Sequence, residues 1–156
     1  MILQVHILLY ALLIIPGALL GQASTSNVKA HEEYQNVYQA VENYVNALYD
    51  AKPDLIAESI DTTLRKIGYY YNAKDKAYAD NLPMTYSQLY NLAAQWNVDG
   101  SKTNSETPKE ITIYDIQSKT ATAKLIAAWG MDYFHLSKVN GQWKIVNVMW
   151  QSLPKI

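Results

Sequence analysis

The sequence predicts a single α+β domain in which helices pack on an antiparallel sheet, and three observations predict it. In the first half of the chain, apolar residues recur at three- and four-residue steps, which is the period of a helix that buries one side. After Pro108 the period changes to two, as in strands. Asn140-Gly141, between two such runs, is a strong signal for a tight hairpin turn. Helices followed by antiparallel strands form an α+β layer arrangement.

The N-terminal segment, residues 1–23, is predicted to be a secretory signal peptide that precedes the domain at 24–156. It contains no Asp, Glu, Lys or Arg, and its apolar run from 7 to 20 is shorter than the roughly 20 apolar residues of a spanning helix. Gly21 and Ala23 supply the small residues of a cleavage site. We therefore expect an exported protein, periplasmic or secreted. Because no Lys or Arg precedes the apolar run, an uncleaved membrane anchor is the alternative. A membrane is a predicted partner only if the segment is not cleaved.

The composition excludes several classes of function. The formal net charge is −1 and no basic run is present, so nucleic acid is not a predicted partner. Without cysteine, the chain has no disulfides, thiolate metal sites or cysteine nucleophile. The two histidines after the predicted signal, His31 and His135, are too far apart for metal-ligand spacing, and no Gly-rich phosphate loop occurs. The sequence therefore predicts neither a metal nor a cofactor.

Three helices are predicted before the strands. The first covers about residues 28–50, and the second begins at Pro53, whose fixed φ suits a first helical turn, with Asp54 favourable beside it. The third begins at Thr85, where a Thr-x-x-Gln pattern is a capping box, and runs to about Trp96. The predicted inward residues are Tyr34, Val37, Tyr38, Val41, Tyr44, Val45 and Leu48 in the first helix, Leu55, Ile56, Ile60 and Leu64 in the second, and Leu89, Leu92, Ala93 and Trp96 in the third.

The strands are predicted at 110–117, 120–139 and 143–150, and the last two form the hairpin. If Val139 lies opposite Gln142, the tight turn fixes the register of every later pair. Both faces of the hairpin then carry many apolar side chains. On this register Lys138 pairs with Trp143, Leu136 with Ile145, Phe134 with Asn147 and Asp132 with Met149 on one face, while Ser137 pairs with Lys144, His135 with Val146, Tyr133 with Val148 and Met131 with Trp150 on the other.

The two apolar faces of this hairpin predict an interface. One set of helices covers only one face of a sheet, and a large exposed apolar patch marks an interaction site. We therefore expect a homodimer through the sheet face, in which both copies use the same patch. The alternative is that two segments of weak periodicity, 69–83 and 97–108, fold over this face as loops.

Part of the chain carries the pattern of a known family. The segments are 116–124 (IQSKTATAK), 132–136 (DYFHL) and 139–147 (VNGQWKIVN) in the strands, and 45–50 (VNALYD), Leu55-Ile56 and the Thr85 cap in the helices. They resemble NTF2-like proteins, and in particular the branch labelled putative lumazine-binding. The resemblance covers about residues 30–152. It implies a curved sheet that wraps a long first helix to form a cone, often dimeric, with a pocket at its open end. The resemblance does not identify the ligand of this chain.

This resemblance and the aromatic composition predict non-catalytic binding of a small apolar or aromatic ligand in the cone pocket. The chain has 13 Tyr and 4 Trp against 1 Phe, and both residues suit surfaces that are partly apolar and partly wet. Trp129, Met131 and Tyr133 are expected to share a face, with Trp150 beside Met131, where they line a pocket or, alternatively, pack in the core or a dimer. The candidate ligand-binding residues are Tyr44, Trp96, Trp129, Asp132, Tyr133, His135 and Trp150.

Two other functions are consistent with the sequence. Enzymes of the ketosteroid-isomerase and dehydratase type share the implied fold, and they need a base in the pocket facing a hydrogen-bond donor. Asp132 and His135 are the candidate bases, but residues three apart on an unbroken strand face opposite sides, so they form a dyad only if a bulge intervenes. The third possibility is an envelope interaction protein without a ligand. The location of these two side chains relative to a cavity discriminates between the three.

Overall fold

The computed structural model describes residues 19–154, without the side chains of residues 19–25 and 80. Most of the predicted signal peptide lies outside this part, so the signal stays a prediction. No helix within the described range is long and apolar enough to cross a membrane. From residue 32 onward the chain forms one compact unit, and this unit contains the sheet. The elements are α1 (Leu19–Tyr49), α2 (Asp54–Ser59), β1 (Ile60–Asn72), β2 (Ala77–Met84), α3 (Tyr86–Gln95), β3 (Glu110–Ile116), β4 (Thr120–Ala127), β5 (Gly130–Val139) and β6 (Gln142–Gln151).

α1 buries one stripe of side chains in the core of this unit. The predicted period is confirmed, because the residues that recur at three- and four-residue steps are the buried ones. Tyr34 and Tyr38, at the start of the predicted stripe, are less buried than the rest. The buried members of the predicted stripe are Val37, Val41, Tyr44, Val45 and Leu48.

The second helix is shorter than predicted. α2 ends at Ser59, and Ile60 begins the long strand β1, so the prediction of a helix through Leu64 is wrong. Ile60 and Leu64 are nevertheless both buried. A spacing of four residues fits one side of a helix, but it also fits one face of a strand, whose period is two. The β-branched residues between them, at 62 and 63, favour the strand.

The sheet is mixed, not purely antiparallel. Its strand order is β2-β1-β6-β5-β4-β3, so that β2 and β3 are the edges of a curved, open sheet. β1 and β6 run parallel, and the other neighbours are antiparallel. The segment 69–83, predicted mainly as a loop, forms the β1–β2 hairpin. α3 follows that hairpin, so residues 19–154 contain one long helix and two short ones, not three helices that all precede the sheet.

The prediction of a single strand over 120–139 is wrong, because the chain turns at 128–129 and forms the antiparallel pair β4 and β5. The β5–β6 hairpin confirms the predicted register near its turn and corrects it further out. Val139 pairs with Gln142 and Leu136 with Ile145 as predicted, but the register shifts before the next pair. Val146 is the extra residue, which makes this a bulge on β6. As a result Phe134 lies opposite Val148, and both are buried. The bulge occurs because the regular register would place Asn147 opposite Phe134 on the inner face. The corrected pairs beyond it are His135 with Asn147, Tyr133 with Met149, Asp132 with Trp150 and Met131 with Gln151.

The outer face of the sheet carries an apolar patch at its centre. Met149 pairs with Ile67 on one side and with Tyr133 on the other. These side chains are 51%, 36% and 45% exposed, respectively. The alternative prediction was that segment 69–83 covers this face as a loop. That prediction is wrong, because the segment forms strands of the sheet itself. The predicted homodimer stays a prediction.

The capping box at the start of α3 should contribute measurably to stability. The Thr85 hydroxyl accepts a hydrogen bond from the Gln88 amide, and the Gln88 side chain accepts one from the Thr85 amide. We expect T85A to lower the free energy of unfolding by about 1 kcal/mol, because it leaves the Gln88 amide in the first turn without its hydrogen-bond acceptor. Urea denaturation measures this. The matched control, S87A on the exposed side of the same turn, should leave the midpoint within error of the wild type, and an equal loss in both variants would contradict the cap.

Candidate functional site

A cavity of about 160 Å³ lies between α1, α3 and the inner face of the sheet. Four aromatic side chains line it. One lies on α1, one directly after α3, one directly before β5 and one on β6. Aliphatic side chains of α1, β2 and α3 complete the apolar wall, and Lys66 of β1 adds the one charged group among the described lining residues. The aromatic lining residues are Tyr44, Trp96, Trp129 and Trp150.

Edge-to-face ring contacts hold the aromatic wall in place. Trp129 meets Trp96 with ring centroids 5.3 Å apart and Tyr44 at 6.2 Å, in both cases edge to face. Tyr49 stands behind them, stacked on Trp96 at 5.8 Å. Its hydroxyl donates to the Pro108 carbonyl and accepts from the amide of residue 128, and its burial raises its pKa. Such pairs stabilise an arrangement beyond the area that they bury, so the wall is preorganised.

Trp129 reaches the cavity because the chain turns sharply at Gly130. That glycine has φ of +130°, and a Cβ placed there would lie 2.2 Å from the Gln151 carbonyl oxygen. Only glycine fits this position without strain. The turn brings the Trp129 indole N–H to 2.5 Å from Asp132 Oδ2. Trp129 therefore does not share a face with Met131 and Tyr133, and that prediction is wrong.

Trp150 lies on the inner face for a different reason. The bulge at Val146 shifts β6 by one residue, so Trp150 pairs with Asp132 and not with Met131 as predicted. Its indole lies across the backbone of Gly68, where a Cβ would meet the ring nitrogen at 1.8 Å. A glycine at this point of β1 is what allows the ring to enter the cavity wall.

A polar cluster of four side chains lies at the base of the cavity. Lys66 Nζ donates to Tyr44 Oη at 2.7 Å and to Asp132 Oδ1 at 3.1 Å. Tyr44 Oη in turn donates to Asp132 Oδ1 at 3.2 Å, while Trp129 occupies Oδ2. Lys66 is 5% exposed and Asp132 0%. In the described part of the chain, every buried side-chain nitrogen and oxygen has at least one hydrogen-bond partner, so neither charged group of the ion pair is left without a partner.

Burial dominates the electrostatics of the cluster. It raises the pKa of Tyr44 well above its usual value, and the negative charge of Asp132 adds to this effect. Burial lowers the pKa of Lys66, and Asp132 opposes that change through its charge and its hydrogen bond. The tyrosine is thus a neutral donor at physiological pH. No group of three or more potential metal ligands occurs among residues 19–154.

The structure separates the predicted ligand-binding residues into two sets. Asp132 lies behind the aromatic wall, in contact with two of its members. Tyr133 and His135 lie on the outer face, where His135 Nδ1 meets Asn147 Oδ1 at 3.1 Å. Asp132 and His135 do not form a dyad. The predicted residues that line the cavity are Tyr44, Trp96, Trp129 and Trp150.

Lys66 is not among the site residues that the sequence predicts. A helix was predicted through this region, and on a helix a lysine is a common surface residue. As a strand, the segment places Leu64, Lys66 and Gly68 on one face, and all three are buried. A lysine between two inward positions of a strand signals a buried charge that needs a carboxylate partner.

The buried ion pair makes a prediction for stability. K66M alone should lower the free energy of unfolding by about 3–5 kcal/mol, because it leaves the Asp132 carboxylate buried without its cation. The double variant K66M/D132N should recover most of that loss, since an asparagine can accept from Trp129 and donate to Tyr44. Chemical denaturation of the three proteins measures both changes. Equal losses for the single and double variants would contradict a buried charge pair.

The comparisons with known proteins agree with this fold. Among solved structures, an NTF2-like protein of unknown function from Silicibacter pomeroyi is similar with a TM-score of 0.58 and 17% identity, over 77% of this chain and 95% of its own. An NTF2-like protein with a cystatin-like fold from Novosphingobium aromaticivorans has a TM-score of 0.58 and 10% identity, over 88% and 92%. One from Shewanella baltica, also of unknown function, has a TM-score of 0.56 and 17% identity, over 80% and 96%. At these identities the likeness shows the fold alone.

The sequence itself matches one family. No match to this chain occurs among curated proteins. The profile of the family described as "Putative lumazine-binding" matches residues 32–151, which cover all of the sheet, α2, α3 and the part of α1 that lines the cavity. The resemblance stated from the hairpin segments is confirmed, and the chain belongs to this putative lumazine-binding family of NTF2-like proteins.

Proposed function

We propose that this chain is an exported ligand-binding module that holds a small apolar or aromatic molecule in the cavity and performs no chemistry on it. The aromatic lining of an inner cavity carries this proposal. An apolar cavity of about 150 Å³ in another protein stays dry and takes up benzene, and the cavity here measures about 160 Å³. Its family supports ligand binding in general, without specifying the ligand.

The volume limits the size of the ligand. Pockets for drug-sized molecules usually measure about 300–1,000 Å³, and the present cavity is about 160 Å³. A single six-membered ring with a small substituent fits this space. The cavity is partly open to solvent, so a large polycyclic molecule would extend beyond the contacts of the aromatic wall. The proposed ligand is therefore a compact, single-ring compound.

An isomerase-like enzyme that uses Asp132 is the second candidate. One observation favours it, since this carboxylate lies within hydrogen-bond reach of Tyr44 and Trp129. However, a general base must reach the proton that it removes. Both oxygens of Asp132 already accept hydrogen bonds, the residue is 0% exposed, and Lys66 holds it in an ion pair. His135 lies on the outer face, away from the cavity. These contacts favour binding over catalysis.

The proposed ligand site has a direct test with toluene as the probe. Toluene should bind the wild type with saturable quenching of tryptophan fluorescence, because three indoles line the cavity. L92F adds volume to a lining position of α3 and should weaken toluene binding at least tenfold by filling the space. V139F adds volume at an exposed residue beside the β5–β6 turn, outside the cavity lining, and as the control it should bind as the wild type. Calorimetric titration gives the affinities.

Two outcomes would count against the proposal. Absence of saturable binding by the folded wild type would exclude the cavity as a site for small aromatic molecules and favour an interaction protein without a ligand. Equal affinities for the wild type and L92F would place the toluene elsewhere on the protein.

We also propose that the module is a homodimer that pairs the outer faces of two sheets. The contiguous patch of Ile67, Met149 and Tyr133 supports this, because exposed apolar patches at the centre of a sheet are interaction surfaces. A two-fold interface pairs the same patch of two copies, and an apolar patch can be buried against its own copy in this way.

A charge in the centre of that patch should dissociate the dimer. We expect the wild type to sediment as a dimer and M149E to sediment as a monomer, because pairing would bury two carboxylates without partners. Y114E introduces the same charge at an equally exposed apolar residue of the edge strand β3 and should stay dimeric. Analytical ultracentrifugation distinguishes the three. A monomeric wild type would reject the proposed interface.

A further inference from the structure

Lys66 offers the cavity a hydrogen-bond donor that the protein does not use. A lysine ammonium carries three N–H donors. Two of them are taken, by Tyr44 Oη at 2.7 Å and by Asp132 Oδ1 at 3.1 Å. Within the described residues no acceptor engages the third, and Lys66 belongs to the cavity lining. A ligand in the cavity therefore meets a charged donor at its base.

The neighbouring donors are already committed. The hydroxyl hydrogen of Tyr44 goes to Asp132, and so does the indole hydrogen of Trp129. The ammonium also lies 5.3 Å from the ring centroid of Tyr44 and 5.6 Å from that of Trp150. An aromatic ring that enters the cavity can therefore place a polar substituent against the ammonium and its own apolar body against the wall.

The charge balance of the cluster selects a neutral substituent. Asp132 already compensates the positive charge of Lys66, and both groups are buried away from water. A carboxylate on the ligand would add a second negative charge beside this buried ion pair with no cation to match it, and burying such a charge is strongly unfavourable. A carbonyl oxygen accepts the free hydrogen bond without adding charge.

We propose that Lys66 is the polar anchor of the cavity and that its ligand is a neutral, single-ring aromatic compound that carries a carbonyl oxygen. The proposal rests on the proposed ligand-binding function of the same cavity and adds the chemical class of the ligand. The carbonyl oxygen accepts from Lys66 Nζ, and the ring packs between the tryptophans. Lys66 thereby contributes specificity as well as stability.

Three probes of nearly equal size and shape test this proposal. Acetophenone carries a neutral carbonyl, α-methylstyrene replaces its oxygen by a methylene group, and benzoate replaces its methyl group by a charged oxygen. We expect the wild type to bind acetophenone about tenfold or more tightly than α-methylstyrene, because a hydrogen bond from a charged donor contributes about that factor. Benzoate should bind more weakly than acetophenone. Calorimetry or tryptophan quenching gives the three dissociation constants at the same pH and salt.

The variant K66M/D132N removes the anchor without leaving a buried charge. Its asparagine can accept from Trp129 and donate to Tyr44, which reverses the hydrogen bond between positions 44 and 132 and leaves the Tyr44 hydroxyl hydrogen without its acceptor. The triple variant Y44F/K66M/D132N, which lacks that hydroxyl, is therefore measured beside it. In the triple variant acetophenone and α-methylstyrene should bind with affinities within about twofold of each other, since neither an ammonium nor a tyrosine hydroxyl can donate to the carbonyl. A circular dichroism spectrum like that of the wild type and a cooperative unfolding transition confirm that both variants are folded.

The outcomes separate the two proposals. If the wild type binds none of the three probes, the ligand-binding function fails, and this inference fails with it. If the wild type binds acetophenone and α-methylstyrene equally, the binding function stands and the role of Lys66 is overturned. A preference for acetophenone that survives in Y44F/K66M/D132N assigns the donor to another group, such as an indole N–H, and also overturns it. Benzoate as the tightest ligand overturns the neutral ligand class.

Discussion

The ion pair between Lys66 and Asp132 joins two strands that are not neighbours. Lys66 lies on β1 and Asp132 on β5, with β6 between them, and the two side chains meet at 3.1 Å over the inner face of the sheet. Each charge alone would be costly to bury, whereas together, with Tyr44 and Trp129 as further partners, they are satisfied. This requirement fixes the rotation of α1 about its axis, because the tyrosine must point at the pair. The cavity is the space that remains above the cluster.

Three backbone features make the cluster and its aromatic wall possible. The turn at Gly130 brings Trp129 to the carboxylate, the bulge at Val146 brings Trp150 to the same face, and Gly68 leaves room for its indole. Each is a local departure from a regular strand, and such departures persist where the surrounding structure requires them. Their convergence on a single cavity is an argument that the cavity is a functional feature and not a packing defect.

The sequence predicts those parts of the fold that depend on neighbours along the chain. The stripe of α1, the capping box at Thr85 and the first pairs of the β5–β6 hairpin follow from local spacing and turn chemistry, and all three are confirmed. The predictions failed where the outcome depends on distant residues. Ile60 and Leu64 fit a helix and a strand equally well, and the bulge at Val146 depends on the residues across the sheet. The role of Lys66 depends on a partner 66 positions away.

The buried pair also explains how a sheet with two apolar faces keeps its register. A slip of one residue along β5 exchanges inner and outer side chains, and here it would bring Tyr133 inward in place of Asp132. The exchange would change the free energy of apolar burial little, because both faces of this strand carry large apolar side chains. It would be strongly unfavourable electrostatically, because Lys66 would be left buried without its carboxylate, which would move to the outer face. The ion pair thus specifies which face of the sheet becomes the cavity and which presents the apolar patch of Ile67, Met149 and Tyr133.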